Sequence, residues 1–93
     1  MKRRKPETIL EELEKFVREL GITLRYERGD FEGGYCVLKE QKMIVINKIA
    51  NTQKRISLLA QSIVEMGIDE GLMSQTVKEI IEDELAKLKI AKE

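Results

Sequence analysis

The stretch that decides the fold is Tyr26–Lys48, YERGDFEGGYCVLKEQKMIVINK. It opens on the end of an alternating run. Ile22, Leu24 and Tyr26 alternate with Thr23, Arg25 and Glu27, the period of a half-buried strand. Gly29-Asp30 and Gly33-Gly34 then bracket a turn, with Phe31 between them. A second strand is expected at about Tyr35 to Lys39, and Glu40-Gln41-Lys42 reads as a polar hairpin loop. Met43-Ile44-Val45-Ile46 is a continuous apolar run, which predicts a third strand partly buried on both faces. Short links between neighbouring strands favour an antiparallel meander.

Helical periods flank this core stretch. Upstream, Ile9, Leu10, Leu13, Phe16, Val17 and Leu20 lie on one stripe, and Gly21 is a natural stop. Two starts are open: Pro6 in the first turn, or a capping box of Thr8 with Glu11. Downstream, Asn51 or Thr52 can cap a helix whose stripe is Ile56, Leu59, Ala60, Ile63 and Val64, ending at Gly67. Ser74 can cap a last helix carrying Val77, Ile80, Ile81, Leu85 and Leu88.

The element order is therefore α-β-β-β-α-α. The expected fold is α+β: a three-stranded antiparallel sheet with helices on one face. Residues 1–93 form one domain, with residues 1–5 as a basic flexible tail. The other sheet face is polar on the first strand, at Thr23, Arg25 and Glu27. On the second and third strands, Tyr35, Val37, Met43 and Val45 are the residues expected to reach it. A face half apolar and half charged calls for a partner, and a second copy of the chain is the simplest one.

Composition narrows the function. The chain has no histidine, so the commonest general bases and zinc ligands are missing. Aromatic residues make up 4% with no tryptophan, which leaves little for a base-stacking platform. The formal net charge is zero, so no global field draws in a polyanion. Charge is concentrated at the ends: Lys2, Arg3, Arg4 and Lys5 at the start, Glu79, Glu82, Asp83 and Glu84 in the last helix. The single cysteine cannot form an internal disulfide, and no apolar leader follows the basic start, so a cytoplasmic location is expected. No run approaches the roughly 20 apolar residues that span a membrane.

Two resemblances arise along this stretch. The run Arg25–Glu40 followed by Ile44-Val45-Ile46-Asn47-Lys48 resembles small uncharacterised bacterial proteins with a Gly-Gly-x-Cys hairpin. That resemblance implies a shared fold and brings no activity. The element order from Leu20 to Met66 also resembles the core of minimal zinc peptidases that cleave phage-type repressors. In those enzymes the helix after the apolar strand carries His-Glu-x-x-His. Here the corresponding positions are Ala60, Gln61, Ser62, Ile63 and Val64, so the resemblance implies a scaffold without the metal site.

Candidate chemistry is sparse. Cys36 is the one thiol, and the local sequence supplies no helix N-terminus, cation or partner base to activate it, so its expected place is in the core as a small hydrophobe. Gly33-Gly34 runs into a strand rather than a helix, which fits a turn and not a phosphate loop. Asp30 and Glu32 are too few for a calcium site. Asn47 is expected to tie the following turn to the second helix. The expectation is thus a non-catalytic binding or structural module, with no cofactor and no metal, forming a homodimer through its sheet. An unidentified protein partner is a further possibility. The alternatives are accessory nucleic-acid binding by the basic tail and a thiol-dependent activity at Cys36.

Overall fold

The computed structural model describes residues 4–92. Its elements are α1 (Pro6–Glu19), β1 (Thr23–Glu27), β2 (Gly33–Leu38), β3 (Gln41–Asn47), α2 (Thr52–Glu65), a 3-10 turn (Glu70–Leu72) and α3 (Gln75–Lys92). The α-β-β-β-α-α order is as expected from the periodicities. Local signals set the helix ends. Pro6 occupies the first helical position of α1, where its missing N–H costs no bond, so Thr8 falls inside the first turn. At the other end Gly21, at φ 82°, allows Ile22 N–H to reach Val17 O at 3.1 Å and Gly21 N–H to reach Arg18 O at 3.0 Å. Asn51 caps α2, its Oδ1 accepting from Lys54 N–H at 2.8 Å. Ser74 caps α3, its Oγ accepting from Val77 N–H at 3.1 Å.

The sheet differs from the expected meander. It is mixed, in the order β1-β3-β2, with β1 parallel to β3 and β2 antiparallel to it. The physical reason lies in which strand most needs the centre. β3 carries the continuous apolar run, and the central place buries Ile44 and Ile46 completely. β1 carries Arg25 and Glu27, which an edge tolerates. The connection permits it: β1 and β2 sit two strand spacings apart, about 10 Å, within the reach of a five-residue link.

That link, residues 28–32, passes over the end of β3, and Asn47 clamps it. Asn47 Nδ2 donates to Gly29 O at 2.7 Å and to Phe31 O at 2.6 Å, and Asn47 N–H donates to Glu32 O at 3.1 Å. Its Oδ1 accepts from Ile49 N–H at 3.2 Å, so the expected tie to the following turn is also made. The return from β2 to β3 is tighter than expected, through Lys39 and Glu40, both at positive φ (51° and 67°). Two successive positive φ values make a primed hairpin turn.

One core unites the elements. Leu13 and Val17 of α1, Ile44 and Ile46 of β3, and Ile56, Leu59 and Ile63 of α2 are fully buried together. α1 and α2 pack against each other on one face of the sheet, and α3 packs on α2 and α1. No described helix is long and apolar enough to cross a membrane.

Candidate interaction surface

The register assigns every strand residue to a face. Leu24, Ile44 and Tyr35 form one cross-strand row; Tyr26, Ile46 and Gly33 form the next; both point to the helices. On the uncovered face the rows are Thr23–Met43–Cys36 and Arg25–Val45–Gly34. Strand alternation therefore splits the four residues expected on that face. Met43 and Val45 lie there, half-buried, whereas Tyr35 packs against the core and Val37 shares its side of the strand. Cys36 is corrected in the other direction. Its expected core position is taken by Tyr35, and the thiol stands exposed beside Met43.

Gly33 and Gly34 belong to β2 rather than to the preceding turn. At Gly33 the chain runs so close to β3 that a Cβ would lie 2.5 Å from Val45 O and 2.9 Å from Ile46 Cα. Only glycine fits that approach. Gly34 faces open space above Val45.

Hydrogen-bond phase fixes the sheet's two free edges. Asn47 N–H bonds to Glu32 O in the same register that runs through β2 and β3. In an antiparallel ladder bonded residues alternate, so Gly34, Cys36 and Leu38 face β3. Gly33, Tyr35 and Val37 then direct their N–H and C=O groups outward. On the other side Lys48 N–H bonds to Glu27 O, which by the parallel pattern turns Leu24 and Tyr26 outward. The two edges differ in charge. β1 carries the Arg25–Glu27 pair, at 2.7 Å, and β2 carries no charged residue along Gly33–Leu38.

Other polar clusters hold the fold together. Arg55 is the centre of one: Nε donates to Ala50 O and Nη2 to Lys48 O, both at 2.9 Å, with the guanidinium 4.6 Å from the Tyr26 ring centroid. The Tyr26 hydroxyl donates to the Glu14 carboxylate. Burial, then the hydrogen bond and charge of Glu14, push the phenol well above its ordinary pKa. A second cluster surrounds Glu84, only 4% exposed. Its Oε1 accepts from Ser57 Oγ at 3.1 Å and Gln53 Nε2 at 3.2 Å, and its Oε2 from Lys87 Nζ at 2.9 Å. This ties α2 to α3. In the sequence Glu84 counts only among the charges of the last helix; its i,i+4 step from Ile80 was the signal that it shares the buried stripe.

A shallow groove of about 220 Å³ lies between α2 and α3, lined by Val64, Ile68, Met73, Ile81 and Leu85. Val64 and Leu85, expected in the core stripes, are partly open to it. Ala60, at the first position where the zinc peptidases carry a histidine, is fully buried in the core.

Two further charged candidates, Glu32 and Arg4, are held in structural contacts. Glu32 pairs with Lys54 at 3.0 Å. Arg4, expected in the free tail, bonds through Nη2 to Glu79 Oε1 at 2.8 Å. That guanidinium, with Gln75, holds the Glu79 carboxyl below its usual pKa. Lys2 and Arg3 lie outside the described residues. Among the described residues no group of three His, Cys, Asp or Glu side chains could hold a metal ion. Comparison with protein-family models, curated proteins and solved structures finds no match to the chain.

Proposed function

We propose that this chain is a non-catalytic binding or structural module that associates with a second copy of itself through its sheet. One observation carries the reading: helices cover a single face of the sheet, and the other presents Met43 and Val45 beside the exposed thiol of Cys36. Covering apolar surface is worth about 25 cal/mol per Å², so half-buried side chains on a bare face favour a partner. A two-fold copy offers the same patch in return, which makes self-association the least demanding solution. The test is the mass in solution by light scattering across a dilution series. Twice the chain mass at micromolar concentration, falling on dilution, is expected. A mass of one chain at every concentration refutes it.

A further inference from the structure

We propose that the contact is made by the free edge of β2, which pairs antiparallel with β2 of a second copy about a two-fold axis at Tyr35. The inference rests on the self-association reading and names the surface that performs it.

Edge pairing joins two three-stranded sheets into one six-stranded sheet and gives the outward backbone groups of β2 protein partners in place of water.

The choice of edge follows from charge. Sheets protect edges with charged residues, proline or bulges. β1 has such protection in Arg25 and Glu27, whereas Gly33–Leu38 has no charge and no proline in six consecutive residues. The charges Glu32, Lys39 and Glu40 flank β2 without entering it.

The register follows from hydrogen-bond phase. Only Gly33, Tyr35 and Val37 direct their backbone groups outward. Two copies of one strand can then pair only odd residue with odd, and the two-fold axis must pass where a residue meets its own copy. An axis at Tyr35 uses all the outward groups: Gly33 meets the partner's Val37, Tyr35 the partner's Tyr35, and Val37 the partner's Gly33. An axis at Cys36 loses Gly33, because Lys39 and Glu40 turn the chain away. The Tyr35 axis also matches side chains. Each glycine faces a side chain of the other copy, Gly33 opposite the partner's Val37 and Gly34 opposite the partner's Cys36. Val37, apolar and 54% exposed, gains cover.

Amide hydrogen exchange by NMR, at concentrations on either side of the mass transition, tests this. In the associated state the amides of Tyr35 and Val37 slow by roughly tenfold or more, while those of Gly34 and Cys36, already bonded to β3, change little. Val37→Glu, which places a carboxylate across from Lys42 and so keeps the hairpin, yields one-chain mass where the parent is doubled. Oxidation leaves Cys36 unpaired, because the Tyr35 axis sets the two Cys36 Cα atoms about 8 Å apart, beyond the roughly 7 Å limit for a disulfide. Association with fast Tyr35 and Val37 amides overturns the edge contact and leaves self-association standing. Rapid formation of a Cys36 disulfide dimer overturns the Tyr35 axis. One-chain mass at every concentration overturns both proposals.

Discussion

Replacing Asn47 tests the topology at the residue that holds it. The side chain makes three hydrogen bonds to backbone, at 2.6, 2.7 and 3.2 Å, and the residue is 7% exposed. Its amide orientation is unambiguous, because Nδ2 faces two carbonyls and Oδ1 faces an N–H. At about 1 kcal/mol net for each bond, Asn47→Ala costs about 3 kcal/mol. A domain of this size is stable by roughly 5–14 kcal/mol, so the loss is a large share and lowers Tm by more than about 10 °C. Asn47→Asp keeps the shape but sets a carboxylate against the carbonyls of Gly29 and Phe31. It costs about 1–2 kcal/mol more than the alanine variant at pH 7, because two donors become acceptors. The pH dependence has a fixed sign. This environment raises the folded pKa of the new Asp above its unfolded value of about 3.9, so the folded state binds more protons. Its stability therefore improves as pH falls toward 4, relative to Asn47→Ala over the same range. Urea unfolding followed by far-UV circular dichroism at pH 7 and pH 4.5 measures both effects. An alanine variant within 0.5 kcal/mol of the parent, or an aspartate variant no worse than alanine at pH 7, would show that Asn47 does not clamp the crossover.

The remaining predictions use the same measurements or simpler ones. Gly33→Ala destabilises by about 2–4 kcal/mol in urea unfolding, since its Cβ meets Val45 O at 2.5 Å at a φ of 134°; Gly34→Ala, with open space, costs about 1 kcal/mol of backbone strain. Converting Lys39-Glu40 to Asn-Gly raises stability by about 0.5–1 kcal/mol, because both positions have positive φ and present side chains that disfavour it. Native Cys36 reacts with a thiol reagent at the rate of a small free thiol, within minutes; protection lasting until unfolding would place it in the core after all. Glu79 titrates below the ordinary glutamate range by NMR, and Arg4→Ala moves it back up toward that range.

Much of this fold is legible in the sequence because it depends on neighbours along the chain. The stripe from Ile9 to Leu20, the stop at Gly21, and the caps Asn51 and Ser74 involve contacts within a turn or two, and each is where periodicity and cap chemistry put it. The order of strands is not local. β1 and β3 are separated along the chain by the whole of β2, and no residue in either encodes parallel pairing by its own preference. One sign was present: Met43–Ile46 is the most apolar strand, and the central place flanks its side chains with those of two neighbouring strands, whereas an edge strand has only one. The candidate surface was legible only by halves for the same reason. Alternation says that Tyr35 and Cys36 point to opposite faces, but only the Tyr35–Ile44 register says which face belongs to the core. Asn47 was visible as an oddity at the end of an apolar strand, whereas its two loop acceptors, Gly29 O and Phe31 O, exist only once β3 has slipped between β1 and β2.

That insertion also creates the free edge through which the second copy is proposed to pair. In a meander β2 would be the central strand, its backbone groups consumed on both sides, and the apolar β3 would stand at the edge. Moving β3 to the centre buries Ile44 and Ile46 and gives the strongest apolar run two hydrogen-bonded neighbours. The displaced strand is β2, which lacks charge, and it now carries the free N–H and C=O groups of Gly33, Tyr35 and Val37. The arrangement that best satisfies the core thus leaves a weakly protected edge, while β1 keeps its charges on the opposite side. For a purely monomeric chain, charge on β2 would be the simple remedy, and Val37, exposed and across from Lys42, is a position where a carboxylate fits without disturbing the core. An apolar residue at that position is what an edge built for pairing requires.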